Sequence, residues 1–185
     1  MMNIKHLTTE ELEARLEDIY LSPRDNGRVE MIVRRPDVEA REVLSEARLD
    51  LEDGLVGDNW KVRGSTSTPD GSAHPEMQIN IMNSRVIALL AQDRERWQLA
   101  GDQLYIDMDL SAENLPAGTR LVLGSAVLEI TAKPHSGCKK FAARFGQDAI
   151  KFVNSPLGKE LHLRGVNARV IQSGTVRVGD FIKKI

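Results

Sequence analysis

Leu121-Val122-Leu123-Gly124-Ser125-Ala126-Val127-Leu128-Glu129-Ile130-Thr131 sets two short apolar runs on either side of a Gly-Ser pair. The runs read as strands over 121–123 and 126–131, and the pair between them suits a tight connection. The same grammar recurs along the chain. Val29-Glu30-Met31-Ile32-Val33-Arg34 reads as a strand ended by Pro36, and a second extended stretch covers 41–51. Gln78-Ile79-Asn80-Ile81-Met82 alternates polar and apolar residues, the pattern of a half-buried strand. A strand over 168–172 and a last piece near 176–182 follow, with Gln172-Ser173-Gly174 as the turn between them.

Helices are expected only at intervals. Thr8 and Glu11 have capping-box spacing, Leu7 and Leu12 staple spacing, and Leu12, Leu16 and Ile19 share a face, which predicts a helix to about residue 20. Asn83 or Ser84 caps a second helix with Val86, Leu90 and Trp97 facing inward. A third is expected over 139–153, with Phe141, Phe145, Ala149 and Phe152 as its apolar stripe and Gly146 as its weak point. Many short strands with few helices describe a mainly β fold, a barrel or sandwich with peripheral α-helices.

A chain of 185 residues suits one sizeable core. Residues 1–27 are expected to form a helix and turn packed on a main unit spanning 28–185. Net charge is −2 and the aromatic fraction 4%. That balance offers neither the basic excess nor the stacking platforms of a nucleic-acid binder. No apolar run has the length of a signal-peptide core or a membrane span, so a cytoplasmic location without membrane association is expected. One cysteine makes neither an intrachain disulfide nor a Cys-rich metal site, and fits a reducing compartment. No Walker-type phosphate loop, HExxH pair or GxSxG elbow is present. The Ser, Thr, Pro and Gly-rich segment 64–75 is expected to be a mobile surface loop.

Chemistry concentrates in Lys133-Pro134-His135-Ser136-Gly137-Cys138-Lys139-Lys140. A strand ends at the proline, and a helix is expected to start at Cys138 or Lys139. Sulfur at a helix N-terminus meets unpaired N–H groups and the positive end of the dipole. Lys139, Lys140 and His135 add positive charge, and together these conditions favour the thiolate. A thiolate can attack sulfur, carry a persulfide or bind a soft metal. The alternative is a structural thiol, a small buried hydrophobe.

Other positions have two readings each. Asp58, after Gly57, is a turn residue or points into a pocket. Ser111 to Pro116, with Glu113 and Asn114, reads as a loop with local hydrogen bonds. Arg144 sits on a charged helix face. Arg164 and Arg169 flank a glycine, and either guanidinium could clamp a phosphate.

Taken in order, these segments resemble the MOSC domains, the C-terminal domains of molybdenum-cofactor sulfurases. Gly54-Leu55-Val56-Gly57-Asp58 is similar to their G-L-x-G-D element, and Glu113-Asn114-Leu115 to their E-N-L element. Pro134 to Cys138 followed by Arg144-Phe145-Gly146 is similar to their P…C motif and its sequel. Gly165 to Val170 is similar to their G-x-x-A-R-V strand, and Val178-Gly179-Asp180 to their closing x-G-D. The likeness runs from about Arg28 to Ile185.

The resemblance implies a MOSC-like β-barrel with peripheral helices, of the standalone bacterial type. It implies that Cys138 is the catalytic residue, either a sulfur carrier or a molybdenum ligand. Asp58, Glu113, Asn114, His135, Lys139, Arg144 and Arg169 are then the candidates for cofactor binding, and the cofactor is the molybdenum cofactor, molybdopterin. Pyridoxal phosphate would enter only through a partner cysteine desulfurase, and a molybdoenzyme is the other partner class implied. Two departures stand out. Many reductase-like members carry His-Gly-Gly after the G-D element, whereas Ser65 to Pro75 here holds only His74. Neither a desulfurase nor a ferredoxin-type domain occurs in this sequence. Three functions follow: cofactor binding or persulfide carriage through Cys138, molybdenum-dependent reduction of N-hydroxylated substrates, and non-catalytic binding of small anions.

Overall fold

The computed structural model describes residues 5–185. Its strands are β1 (Gly27–Arg34), β2 (Glu42–Leu44), β3 (Glu46–Asp50), β4 (Gly54–Leu55), β5 (Ile79–Asn83), β6 (Leu104–Asp107), β7 (Arg120–Leu123), β8 (Ala126–Ile130), β9 (Val166–Gln172), β10 (Gly174–Arg177) and β11 (Phe181–Lys184). Its α-helices are α1 (Thr9–Glu13), α2 (Leu16–Tyr20), α3 (Trp60–Arg63), α4 (Ser84–Ala91), α5 (Lys139–Phe145), α6 (Gln147–Asn154) and α7 (Pro156–Glu160). Two short 3₁₀ turns cover Pro75–Met77 and Arg94–Ala100.

Seven strands close a barrel in the order β1-β11-β7-β8-β9-β5-β6 and back to β1. Every pairing in the ring is antiparallel except β5–β6. β2 extends β1 outward, and β10, β3 and β4 form a separate three-stranded sheet. The mainly β barrel with peripheral helices is therefore the architecture of this chain.

Two apolar layers hold it. One fills the barrel and includes Val29, Ile32, Ile79, Ile81, Leu104 and Ile106. The other lies between the barrel wall and the helices and includes Met31, Val33, Met82 and Tyr105. A register shift between Val29 and Met31 explains why both layers draw on β1. The bulge inverts the alternation, so Val29 and Ile32 face inward while Met31 and Val33 face the helices. Truncating an inward Leu or Ile to Ala here should cost about 2–5 kcal/mol.

Several elements differ from the sequence reading. The expected N-terminal helix is broken into α1 and α2 around Ala14 and Arg15. The Thr8–Glu11 capping box is present on α1. The extended stretch 41–51 divides at Ser45, where the chain leaves the barrel sheet for the small one. The expected piece 176–182 is two strands with a turn between them. The helix expected over 139–153 breaks at Gly146, whose φ of 99° and ψ of 163° only glycine adopts readily. Its stripe of Phe141, Phe145, Ala149 and Phe152 is nonetheless buried across α5 and α6. α4 ends at Ala91, and Trp97 packs from the 3₁₀ turn instead.

Candidate functional site

α5 starts at Lys139, so Cys138 occupies its N-cap with extended backbone. Its side chain makes no capping bond, and the residue is exposed. The loop leading to it is tied down at each step. Asn167 Nδ2 donates to the carbonyls of Lys133 and Pro134, at 2.9 and 3.3 Å. Asn154 receives the Gly137 N–H at 2.9 Å and donates to the Gly137 carbonyl at 3.1 Å. Gly165 lets the loop approach β5. A Cβ there would stand 2.2 Å from the Ile81 carbonyl oxygen and 3.2 Å from the His135 ring.

His135 is fixed by a buried carboxylate. Its Nε2 lies 2.8 Å from Asp102 Oδ1, and Arg164 Nη1 lies 2.7 Å from Asp102 Oδ2. Asp102 is wholly shielded from solvent. Burial pushes its carboxyl up, but the charge of Arg164 together with the contact and hydrogen bond of His135 outweighs that and holds it below the ordinary carboxylate range. Burial pushes the His135 imidazole down, and Arg164 adds to this; the pull of Asp102 does not reverse it. An ionised carboxylate only accepts, so Nε2 carries the ring proton and Nδ1 the lone pair.

Beside α5 lies a small cationic depression of about 90 Å³. Arg35, Arg41, Arg63 and Lys140 line it, against Asp37 and Glu39. Arg35 is committed inward, to both oxygens of Asp58, to Asn80 Oδ1 and to the Gly101 carbonyl. Glu39 is shared by Lys140, at 2.9 Å, and Arg144. These cations hold the Glu39 carboxyl below its usual range, the Lys140 hydrogen bond most of all.

Arg41 and Arg63 are the two that remain. Among the described residues the Arg41 side chain donates only to the carbonyl of Ala40, and its buried Nε has no acceptor. Burial, then Arg144 and Arg35, push its guanidinium down. Burial followed by Arg35 does the same to Arg63. Neither arginine forms an ion pair among the described residues. Arg63 also borders a larger open hollow of about 760 Å³ with Trp60, His74 and Met77. There the buried Trp60 Nε1 is without an acceptor, and the neighbouring Asn59 Oδ1 without a donor. The arrangement is a set of cationic and N–H donors short of anions.

The sequence candidates divide. His135, Cys138, Lys139 and Arg144 lie on one loop and helix, and Arg144 joins Lys140 on Glu39. Asp58 is buried, and its oxygens are taken by Arg35, the Arg35 N–H and the Trp60 N–H. Glu113 is exposed and paired with Arg24 at 2.8 Å. Asn114 is buried, donating to the Arg24 and Asp109 carbonyls and accepting from Lys184. Arg169 pairs with Glu129 on the outside of the barrel. Of these four, Asp58 touches the depression through Arg35, while Glu113, Asn114 and Arg169 make no hydrogen bond or ion pair to it or to Cys138 among the described residues. Sequence reading missed Arg35, Arg41, Arg63 and Asp102. Arg35 and Arg41 share the loop between β1 and β2, but Arg63 and Asp102 come from two other segments, and no motif spacing links the three. Among the described residues no group of three or more His, Cys, Asp or Glu could hold a metal ion. No helix there is long and apolar enough to cross a membrane.

Fold and site together define a closed β-barrel protein with an exposed thiol on a fixed outer loop, next in the chain to a cationic depression. The chain belongs to the MOSC domain family, whose model matches residues 68–183. That span includes Cys138 and the His135 loop but not Arg35, Arg41 or Arg63. Solved structures share the fold. The YUAD protein from Bacillus subtilis is 18% identical, with a TM-score of 0.57 over 85% of this chain and 94% of that one. YiiM from Escherichia coli is 20% identical, with a TM-score of 0.55 over 85% and 69%. YiiM from Geobacillus stearothermophilus is 14% identical, with a TM-score of 0.56 over 86% and 75%. No curated protein matches the chain.

Proposed function

We propose that this MOSC domain binds the molybdenum cofactor at the arginine-lined depression and presents Cys138 to it, as metal ligand or as carrier of a persulfide sulfur. One observation carries the reading. Arg41 and Arg63 are cationic, drawn down by burial and like charges, and form no ion pair among the described residues, on the face whose Lys140 lies two residues after Cys138. The donor set fits the anionic end of a phosphorylated pterin: Arg41 and Arg63 would hold the phosphate in the depression of about 90 Å³, while the pterin would extend over the adjoining hollow of about 760 Å³ that Arg63 and Trp60 also border. When bound, the cofactor would supply a soft metal for which thiolate is a suitable ligand.

Exposure of Cys138 suits a hand-over between proteins. In that step the Cys138 thiolate attacks the outer sulfur of a persulfide on a cysteine desulfurase. A new S–S bond forms at Cys138, the donor's S–S bond breaks, and the donor cysteine leaves as thiolate. Pyridoxal phosphate belongs to that partner, and the acceptor would be a molybdoenzyme or its cofactor.

Protein purified from a cofactor-producing host should contain molybdenum, by plasma mass spectrometry, and pterin, by fluorescence after oxidation. The double variant Arg41→Ala/Arg63→Ala should retain about a hundredth or less of both, the scale of two charged hydrogen bonds. With cysteine desulfurase, pyridoxal phosphate and cysteine, the wild type should gain one sulfur at Cys138 and Cys138→Ala none. Absence of molybdenum, pterin and persulfide together would overturn the reading and leave a non-catalytic anion-binding domain. Metal retention with turnover of N-hydroxylated compounds by an added reductant would establish the reductase function instead.

A further inference from the structure

A second cleft is lined by residues 131–136 and has no lining residue in common with the arginine depression. Its volume is about 770 Å³, within the range of small-molecule sites. Leu115, Ile130, Val153 and Val166 give it apolar walls. Lys133, Lys159, His135 and His162 stand around it, and no Asp or Glu lines it. Neither lysine forms an ion pair among the described residues.

The polar groups are held in place. His135 is fixed through Asp102, as described above. His162 has a φ of 49°, uncommon outside glycine. Its Nδ1 lies 2.6 Å from the Leu110 carbonyl, which can only accept. Nδ1 therefore donates, and Nε2 is left free. Asn154 and Asn167 line the cleft too, and both are spent on the loop backbone. An apolar hollow with fixed imidazoles, two unpaired ammonium groups and no opposing carboxylate favours a ligand with an apolar body and one negative end.

We propose that this cleft binds an amphipathic monoanion of the alkyl or aryl carboxylate class, its hydrocarbon against Leu115, Ile130 and Val166 and its carboxylate toward Lys133 and Lys159. The site is separate from the arginine depression and does not rest on the function proposed for it.

Octanoate is a suitable probe, with octanamide as its uncharged counterpart and acetate as the headgroup alone. Calorimetry on the full chain should show saturable octanoate binding, at least about tenfold weaker binding of octanamide, and none of acetate. Amide shifts in NMR should change around 115, 130–136 and 159–167. Lys133→Gln/Lys159→Gln should weaken octanoate about tenfold while leaving octanamide unchanged. Ala117→Trp, a filler at an exposed rim position, should abolish binding of both. Arg41→Ala should bind octanoate like the wild type. Equal affinity for octanoate and octanamide would overturn the proposal, as would shifts confined to 35–63 or no octanoate binding in the folded wild type.

Discussion

Arg35 grips Asp58 through two parallel bonds, Nη2 to Oδ1 at 2.7 Å and Nε to Oδ2 at 2.8 Å, with almost no solvent reaching either side chain. Asp58 also accepts the backbone N–H groups of Arg35 and Trp60. The pair pins the end of β1 to the turn before α3, and so brings together the segments that carry Arg41 and Arg63. Asp58→Ala would leave a buried guanidinium without its counter-charge. The expected loss is about 3–5 kcal/mol in urea unfolding. A loss below about 1 kcal/mol would show that water or rearrangement replaces the carboxylate.

His135 gives stability a pH dependence. Its folded-state pKa is depressed, chiefly by burial, from an ordinary value of 6.5. The unfolded chain therefore takes up a proton first as pH falls. The contribution of His135 is fully present above pH 6.5 and is lost as pH drops toward the folded value. Unfolding free energy should fall below pH 6.5 by up to about 1.4 kcal/mol per unit, the limit for one proton. His135→Asn should flatten that part of the profile. Identical slopes in the two proteins between about pH 6.5 and about pH 5 would assign the titration elsewhere.

Cys138 is exposed and its thiol makes no capping bond, so Cys138→Ala should change stability by less than about 0.5 kcal/mol. Iodoacetamide should label the native wild type at Cys138 without prior unfolding. Labelling that requires denaturant would place the thiol in a protected environment and remove it from the proposed hand-over.

Gly146 separates α5 from α6 in a conformation that side chains resist. Gly146→Ala should destabilise the fold by about 1–3 kcal/mol, measured by thermal or urea unfolding. A neutral or stabilising result would mean that one continuous helix is as good a solution for this segment.

Legibility in the sequence followed the number of buried faces. The β7–β8 hairpin was readable because Gly124 marks its turn between short apolar runs. The stripe from Phe141 to Phe152 was readable because its spacing survives the break at Gly146. β6 was missed. Leu104, Tyr105 and Ile106 are all fully buried, two toward the barrel and one toward the helices, so no polar alternation announces a strand. In the site, the loop from Lys133 to Cys138 was legible as one segment. The arginine depression was not, since burial of Arg41 and isolation of its Nε are properties of assembled segments. The E-N-L and A-R-V elements were legible as motifs. Their polar residues here close contacts with Arg24, Lys184 and Glu129.

The ring is completed by pairing Gly27 with Ile182 and Arg28 with Phe181. More than 150 residues separate the partners, among the longest loop closures this chain can make. During synthesis the first barrel strand must therefore wait with an open edge until the last one leaves the ribosome. Until then β1 and β7 are both available to other chains. Ribosomal pausing near residue 180, or nicking at the turn before Phe181, would act on the quality of the product through aggregation, with every residue of the thiol loop and the arginine depression already made.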